Sequence, residues 1–436
     1  MNNKWQTSYL GKLANIIASN VDKKIYPEEK TIQLCNYMDA YSNNYINSKI
    51  KFSEGSANNN EIIRYSLLKD DVIITKDSET PEDIAVSSVV NEELVNVVCG
   101  YHLAILRPKK DLIDGNFLMN KLKLPSIQNQ FYRKANGITR FGLTLGAIEN
   151  IEIIYPCLEE QRKIAKILTT VDNLIEKTET LIAKYHSIKQ GMMHDLFTRG
   201  VDANGQLRPP VDEAPELYKE SELGWIPKGW EVAKLSEKSE LITSGSRGWA
   251  CYYSKTGAIF VRIGNLTREH INFRWNDIQR VKPPICSEGQ RTTLHSGDIL
   301  ISITADLGII AVVPHDMGEA YINQHIALIR LQNKDINTKW VGRFLANKRG
   351  QLQFEKYNDM GTKAGLNLPT IGSLLFLKPS LQEQFISTEI LDTYEKKIET
   401  EKKYLKKYKD IKKALMQDLL TGKVRVTPDK PKDTPS

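Results

Sequence analysis

From Gly115 to Ile148 the chain carries no acidic residue, while Lys121, Lys123, Arg133, Lys134 and Arg140 are interleaved with Phe131, Tyr132 and Phe141. Ammonium and guanidinium groups neutralise phosphates, and an arginine fork matches the edge of guanine, so this mixture suits a nucleic-acid surface. A second stretch repeats the bias, with Lys339, Arg343, Lys348, Arg349, Lys356 and Lys363 against Glu355 and Asp359. An ordinary solvated basic face would use the same residue types. The candidates for DNA contact are Arg133, Lys134 and Arg140 in the first half of the chain and Arg247, Arg262, Lys356 and Lys363 in the second. The segment Ser244-Gly245-Ser246 adds a loop able to approach a phosphate backbone.

Catalytic constellations are missing. The chain has no phosphate-binding G-x-x-x-x-G-K-[ST] loop, no G-x-G-x-x-G, no H-E-x-x-H and no G-x-S-x-G elbow. The Pro-Pro pairs Pro209-Pro210 and Pro283-Pro284 precede Val211 and Ile285, not the aromatic residue that a base-flipping methyltransferase motif would need. His102 and His325 lie in apolar runs that read as strands, which favours structural hydrogen bonding over catalysis. Asp71 and Asp298 precede the strand runs DVIIT and DILIS and read as turn carboxylates that bond backbone amides. A binding function remains.

The length of 436 residues predicts two or three domains at about 100–200 residues each. Net charge is +7, with 18 positive and 18 negative residues over 1–157 but 21 and 15 over 219–380, so the excess lies in the second half. No apolar run approaches the roughly 18 residues of a membrane span, and the start Met1-Asn2-Asn3-Lys4-Trp5 lacks the apolar core of a secretory signal, so a cytoplasmic protein without a membrane partner is expected. Cys35, Cys99, Cys157, Cys251 and Cys286 are scattered and unpaired, which predicts free buried thiols and no metal site.

The elements that must carry the basic stretches emerge from an internal repeat. Leu158–Val201 aligns without gaps on Leu381–Val424, with 17 of 44 positions identical, at an offset of 223. The same offset pairs Pro156 with Pro379, Gly142-Leu143 with Gly365-Leu366, Gln130-Phe131 with Gln353-Phe354 and His102 with His325. Further upstream the offset drifts, so that Trp5 matches Trp230 at 225. The chain is two copies of one unit, each a globular part followed by a long helical segment.

Leu168, Val171, Ile175, Ile182 and Tyr185 follow heptad spacing with Thr178 as a polar interruption; Leu391, Tyr394, Ile398, Leu405 and Tyr408 repeat the pattern with Glu401 at that place. Ile188, Met192 and Leu196 continue the first stripe, and Ile411, Leu415 and Leu419 the second. Two matching narrow stripes predict a coiled coil, each helix of about 40 residues being roughly 60 Å long. The expected class is α+β: two repeated globular domains separated by two long helices packed as an antiparallel pair, with an approximate two-fold. The boundaries are domain one 1–157, central helix 158–197, a loop or extended linker 198–218, domain two 219–380, C-terminal helix 381–421, and a tail 422–436 that is disordered from Thr427.

Together these features resemble the specificity subunits of Type I restriction-modification systems. The resemblance rests on the two P-x-L-x-E-Q segments (Pro156 to Gln161 and Pro379 to Gln384), the helical repeat after each, and the opening Glu220 to Leu235 of the second unit, and it covers nearly the whole chain. It implies two target-recognition domains, each reading one half of a bipartite, asymmetric sequence in double-stranded DNA. The helices would fix the unread spacer and dock two modification methyltransferase subunits, with two restriction motor subunits joining that core. The chain itself would catalyse nothing and hold no cofactor: S-adenosylmethionine, ATP and Mg2+ would belong to the partners. Two departures are visible: the first domain has no net positive charge, and it lacks the glycine of one turn. Ala305-Asp306-Leu307-Gly308 resembles the family's glycine-containing turn, whereas the first copy has Glu79-Thr80-Pro81-Glu82. A coiled-coil adaptor with two repeated binding domains and no DNA partner is the alternative, and catalysis by the chain alone would revive a self-contained methyltransferase or nuclease.

Overall fold

The computed structural model describes residues 5–283, 287–332, 335–358 and 365–427. The chain forms two compact units, Met1–Glu179 with Lys403–Ser436, and Thr180–Lys402. Each therefore contains half of both long helices, Leu158–Thr198 and Leu381–Leu420. Both the helices and the globular parts recur.

In the first unit a five-stranded sheet has the order Ala14–Ala18, Leu103–Pro108, Val72–Thr75, Ser87–Val90, Tyr45–Ile46. In the second, Ser239–Ser244, Ile326–Leu331, Ile299–Ser302 and Ile310–Val312 follow one another in the equivalent order. The central strands Val72–Thr75 and Ile299–Ser302 are buried at every position, which is why they read as continuous apolar runs without alternation. In both units an early strand pairs antiparallel with the last strand of the globular part, Gln6–Tyr9 with Glu152–Tyr155 and Glu231–Lys234 with Leu375–Lys378, so each domain closes immediately before its long helix.

The turns after the central strands differ. Ala305 (φ 59°) and Gly308 (φ 76°) make a left-handed turn in the second unit, where the first uses the 3-10 turn Pro81–Asp83 with Thr80 Oγ1 donating to Asp83 at 2.9 Å. The left-handed place itself is kept: Ala85 (φ 60°) donates its amide to the Thr75 carbonyl at 2.8 Å as Gly308 does to the Ser302 carbonyl at 2.9 Å, so an alanine bears in the first unit the conformation that glycine adopts freely in the second.

Each globular core continues into the helices. The first core includes Ile164, Ala165 and Leu168 from the start of the first long helix and Leu419 and Leu420 from the end of the second. The second core includes Leu196, Phe197 and Leu391 in the complementary arrangement. In each unit the start of one long helix and the end of the other complete one core, and every such leucine contributes about 2 kcal/mol by burial.

The structure decides several expectations. Of the two forms expected for the segment after the first long helix, a loop or an extended linker, residues 199–218 take the loop: Asp202 and Gln206 close a turn, and Arg208 binds Glu383 bidentately at 2.5 and 3.0 Å. Residues 422–426 are docked, with Arg425 gripping Glu160 at 2.7 and 2.8 Å and Val426 against the core, and the tail after Thr427 lies outside the described residues. Cys35 and Cys99 are buried, and burial pushes both thiols up, but Cys157 and Cys251 are exposed; Cys286 lies outside the described residues. Among the described residues no helix is long and apolar enough to cross a membrane and no group of side chains could hold a metal ion.

Candidate nucleic-acid interface

The paired helices carry a seam. Leu168, Val171, Ile182, Leu391 and Ile398 are buried, and Ile175, Tyr185, Tyr394, Leu405 and Tyr408 are partly buried. Tyr185 and Tyr394 meet ring to ring at 6.4 Å, and Lys397 lies over both. Ile411 departs from the expectation: it is exposed, and Lys412 takes the seam position, 2.5 Å from Asp172. In the second unit Lys189 is buried at the equivalent place, 2.7 Å from Glu395.

The repeated P-x-L-x-E-Q segment has a physical account. Gln161 donates from Nε2 to the Pro156 carbonyl at 2.9 Å and accepts from the Asp114 amide at 2.9 Å. Gln384 does the same with Pro379 at 2.9 Å and the Asn337 amide at 2.8 Å. Asp114 and Asn337 are themselves N-caps, of Gly115–Leu122 and Thr338–Ala346. Each glutamine thus ties the start of a long helix to a capped helix of its domain. The glutamates are buried and take an arginine from the segment after a long helix, Arg425 for Glu160 and Arg208 for Glu383, and Trp230 Nε1 adds a bond to Glu383 at 3.1 Å.

This docking consumes much of the positive charge that the sequence places together. Lys121 is buried, donates to the Leu420 carbonyl at 2.6 Å and lies over the Trp5 ring. Burial pushes its ammonium down to about 8. Lys123 bonds Asn44 at 2.5 Å and is likewise pushed down to about 8, first by burial and then by Lys412. In the second unit Arg343 is buried against Asp392 and Glu395, Lys339 binds Asp392 at 2.7 Å, and Arg349 reaches the Phe197 and Trp225 carbonyls. Lys121, Lys339, Arg343 and Arg349 hold the domains to the helices and Lys123 is bonded within its own domain, so the recurrence of charge in both copies is in good part structural.

The remaining candidates are distributed as follows. Arg133 and Lys134 occupy the last turn of the helix Pro125–Lys134, whose Ile127 and Phe131 are buried; Arg133 is exposed and Lys134 partly so. Two turns further along the chain Arg140 is exposed and bonds Asp77 at 3.1 Å. Lys356 is exposed on the helix Lys348–Asn358, and Lys363 lies outside the described residues.

Arg247 is exposed just beyond the strand that ends at Ser244. Arg262 is tied to Asp277 at 3.0 Å. The loop Ser244-Gly245-Ser246 is used internally: Arg291 donates to the Ser244 carbonyl at 3.0 Å and to Ser246 Oγ at 2.7 Å. A Cβ on Gly245 would fall 2.2 Å from the Asn323 backbone, so the absence of a side chain serves a chain crossing within the domain. Asn323 also bonds the carbonyl of Val261, immediately before Arg262, which brings that arginine and the Ser244 loop to one region. Arg291 was not among the sequence candidates, because an isolated arginine gives no signal until its partners are in place.

Asp71 and Asp298 bond backbone amides as expected, Leu68 at 2.9 Å and His295 at 2.7 Å, and each is also gripped by an arginine, Arg107 and Arg330. His102 bonds Asp77, and His325 bonds Thr304 Oγ1 at 2.7 Å.

A family model for the Type I restriction modification DNA specificity domain matches residues 2–184 and again residues 227–409. The chain is 28% identical over 325 residues to the Type I restriction enzyme MjaVIII specificity subunit of Methanocaldococcus jannaschii, covering 74% of this chain and 73% of that one. It is 27% identical over 371 residues to the putative MjaX specificity subunit of the same organism, covering 84% and 81%. The crystal structure of a Type I restriction-modification S subunit from M. genitalium shares the fold, with a TM-score of 0.61 at 17% identity over 96% of both chains. The chain belongs to the Type I restriction-modification DNA specificity family, with one specificity domain in each half of its sequence.

Proposed function

We propose that this chain is the DNA specificity subunit of a Type I restriction-modification complex. Each globular domain reads one half of a bipartite, asymmetric target, and the paired helices set the unread spacer and dock the modification methyltransferase subunits. The observation that carries the reading is the duplicated specificity domain, with each copy fastened to the helices by the equivalent glutamine. Two methyltransferase and two restriction subunits complete the assembly in this reading. S-adenosylmethionine, ATP and Mg2+ belong to those partners, and the chain works by binding alone.

Methylome sequencing of a host with and without the gene tests this. One bipartite methylated motif should disappear on deletion. Loss of no motif, in a host that expresses the methyltransferase partner, overturns the reading.

A further inference from the structure

The loop 136–142 of the first domain is braced at its neck. Asn136 and Gly142 exchange both backbone hydrogen bonds, at 3.0 and 2.9 Å, and Phe141–Gly142 pairs with Asp77–Ser78. Gly137 has a φ of 142°, and a Cβ there would meet the Arg140 carbonyl oxygen at 1.9 Å, so the loop can fold back on itself only with glycine at this place. At the tip Ile138 is 95% exposed, the highest value among the exposed large hydrophobic side chains of the described residues.

Below the tip, Asp77 Oδ1 accepts from Arg140 Nη2 at 3.1 Å and from His102 Nδ1. Arg140 Nη2 also lies 3.0 Å from Nδ1 and 3.3 Å from Nε2 of His102; a position near both nitrogens at once is over the ring and not along the Nε2 lone pair that Nδ1–H leaves as acceptor. The Arg140 side chain is 59% exposed against 23% for Asp77. Among the described residues the Asp77 bond takes one N–H of Nη2, and the other Nη2 N–H together with a neighbouring guanidinium N–H is the fork left for a base edge.

A partly exposed ion pair contributes little to stability, and a solitary exposed isoleucine is unremarkable. Combined on one braced loop, next to Arg133 and Lys134 and within a stretch free of acidic residues, they match what base reading needs: an aimed arginine fork and an apolar contact. Resting on the specificity-subunit reading above, we propose that Arg140 reads a guanine in the half-site of the first domain, with Asp77 as its positioning residue and Ile138 as the apolar contact to the neighbouring base pair.

The test is methylation of a randomised DNA library by the assembled methyltransferase complex carrying wild-type chain, Arg140→Lys, Arg140→Ala, Asp77→Asn or Ile138→Ser. Both Arg140 variants should reduce the preference for guanine at one position of one half-site by about tenfold or more and leave the other half-site intact. Ile138→Ser should relax the adjacent position. Asp77→Asn should relax the same guanine while the complex still assembles, whereas a merely structural role would lower thermal stability and spare the preference. If Arg140→Ala lowers methylation of all sequences alike and reduces the salt dependence of binding, the residue touches phosphate and the proposal is overturned, as it is by unchanged preference. A wild-type complex that yields no bipartite motif overturns the specificity-subunit reading instead, and this proposal falls with it.

Discussion

Lys412 donates to Asp172 at 2.5 Å inside the largely apolar seam of the first unit, and the equivalent pair, Lys189 with Glu395, closes at 2.7 Å in the second. Both lysines sit where the offset of 223 superposes them, as do Asp172 and Glu395. A polar pair in an apolar seam costs desolvation and adds little net stability, but it penalises every register in which the charges part company.

This gives an asymmetry to measure. Asp172 also accepts from Tyr45 Oη at 2.9 Å, and Lys123 lies near Lys412. Lys412→Met therefore leaves a carboxylate that still has a hydrogen-bond donor, whereas Asp172→Leu leaves two ammonium groups without their counter-ion. Chemical denaturation should show Asp172→Leu destabilising the chain by about 3 kcal/mol and Lys412→Met by distinctly less. Equal losses would mean that Tyr45 and Lys123 play no part in the pair.

The second pair predicts a pH dependence. Burial alone would raise the Glu395 carboxyl, but the charges of Arg343 and Lys189 outweigh it and hold the group below the ordinary value of 4.5. A depressed carboxylate contributes stability that is present above its unfolded value and is lost as pH falls through the folded one. Wild type should therefore exceed Glu395→Gln in thermal stability at neutral pH, with the gap closing only below about pH 4.5. A gap that closed between pH 5 and 8 would point to a histidine in place of Glu395.

The buried carboxylate of Glu383 collects Arg208, the Val201 amide and Trp230. Arg208→Ala removes the cation among these partners and leaves the buried Glu383 carboxyl group without it. The loss should be about 3 kcal/mol. Glu383→Gln, which keeps an oxygen for the amide and loses only the charge, should cost less. If hydrogen exchange of the helix start around Gln384 does not rise in Arg208→Ala, the loop after the first long helix is not what fastens it.

The repeat and the seam were legible because both depend on spacing. Leu168, Val171, Ile175, Thr178, Ile182, Tyr185, Lys189, Met192 and Leu196 keep an unbroken alternation of three and four. At Lys189 and Lys412 the apolar neighbours Ile188 and Ile411 drew the expected stripe one position aside, since a lysine gives no hint that its charge will be met. The basic stretches failed for the same reason. Lys121, Lys123 and Arg343 look like Arg133 and Lys356 in the sequence, and only the docking of their helices decides which cations meet the Leu420 carbonyl, Asn44 or Asp392 and which meet solvent. Asp77 was invisible as a partner of Arg140 because 63 residues separate them.

That distinction between buried and exposed cations sets the last prediction. A lysine or arginine that neutralises a phosphate releases a counter-ion, so its removal lowers the slope of log K against log salt by about 0.9 per contact on duplex DNA. Lys356→Ala should reduce the slope by about one, and Arg133→Ala with Lys134→Ala by about two, while affinity falls roughly uniformly across sequences. Lys121→Met, which removes a charge bonded to the Leu420 carbonyl, should leave the slope unchanged even if it alters stability. Fluorescence anisotropy of the assembled complex on its methylated motif, titrated with salt, gives the slopes directly. An unchanged slope in Lys356→Ala would remove that residue from the interface, and a reduced slope in Lys121→Met would show that the buried cations still act on DNA through the field of the whole protein.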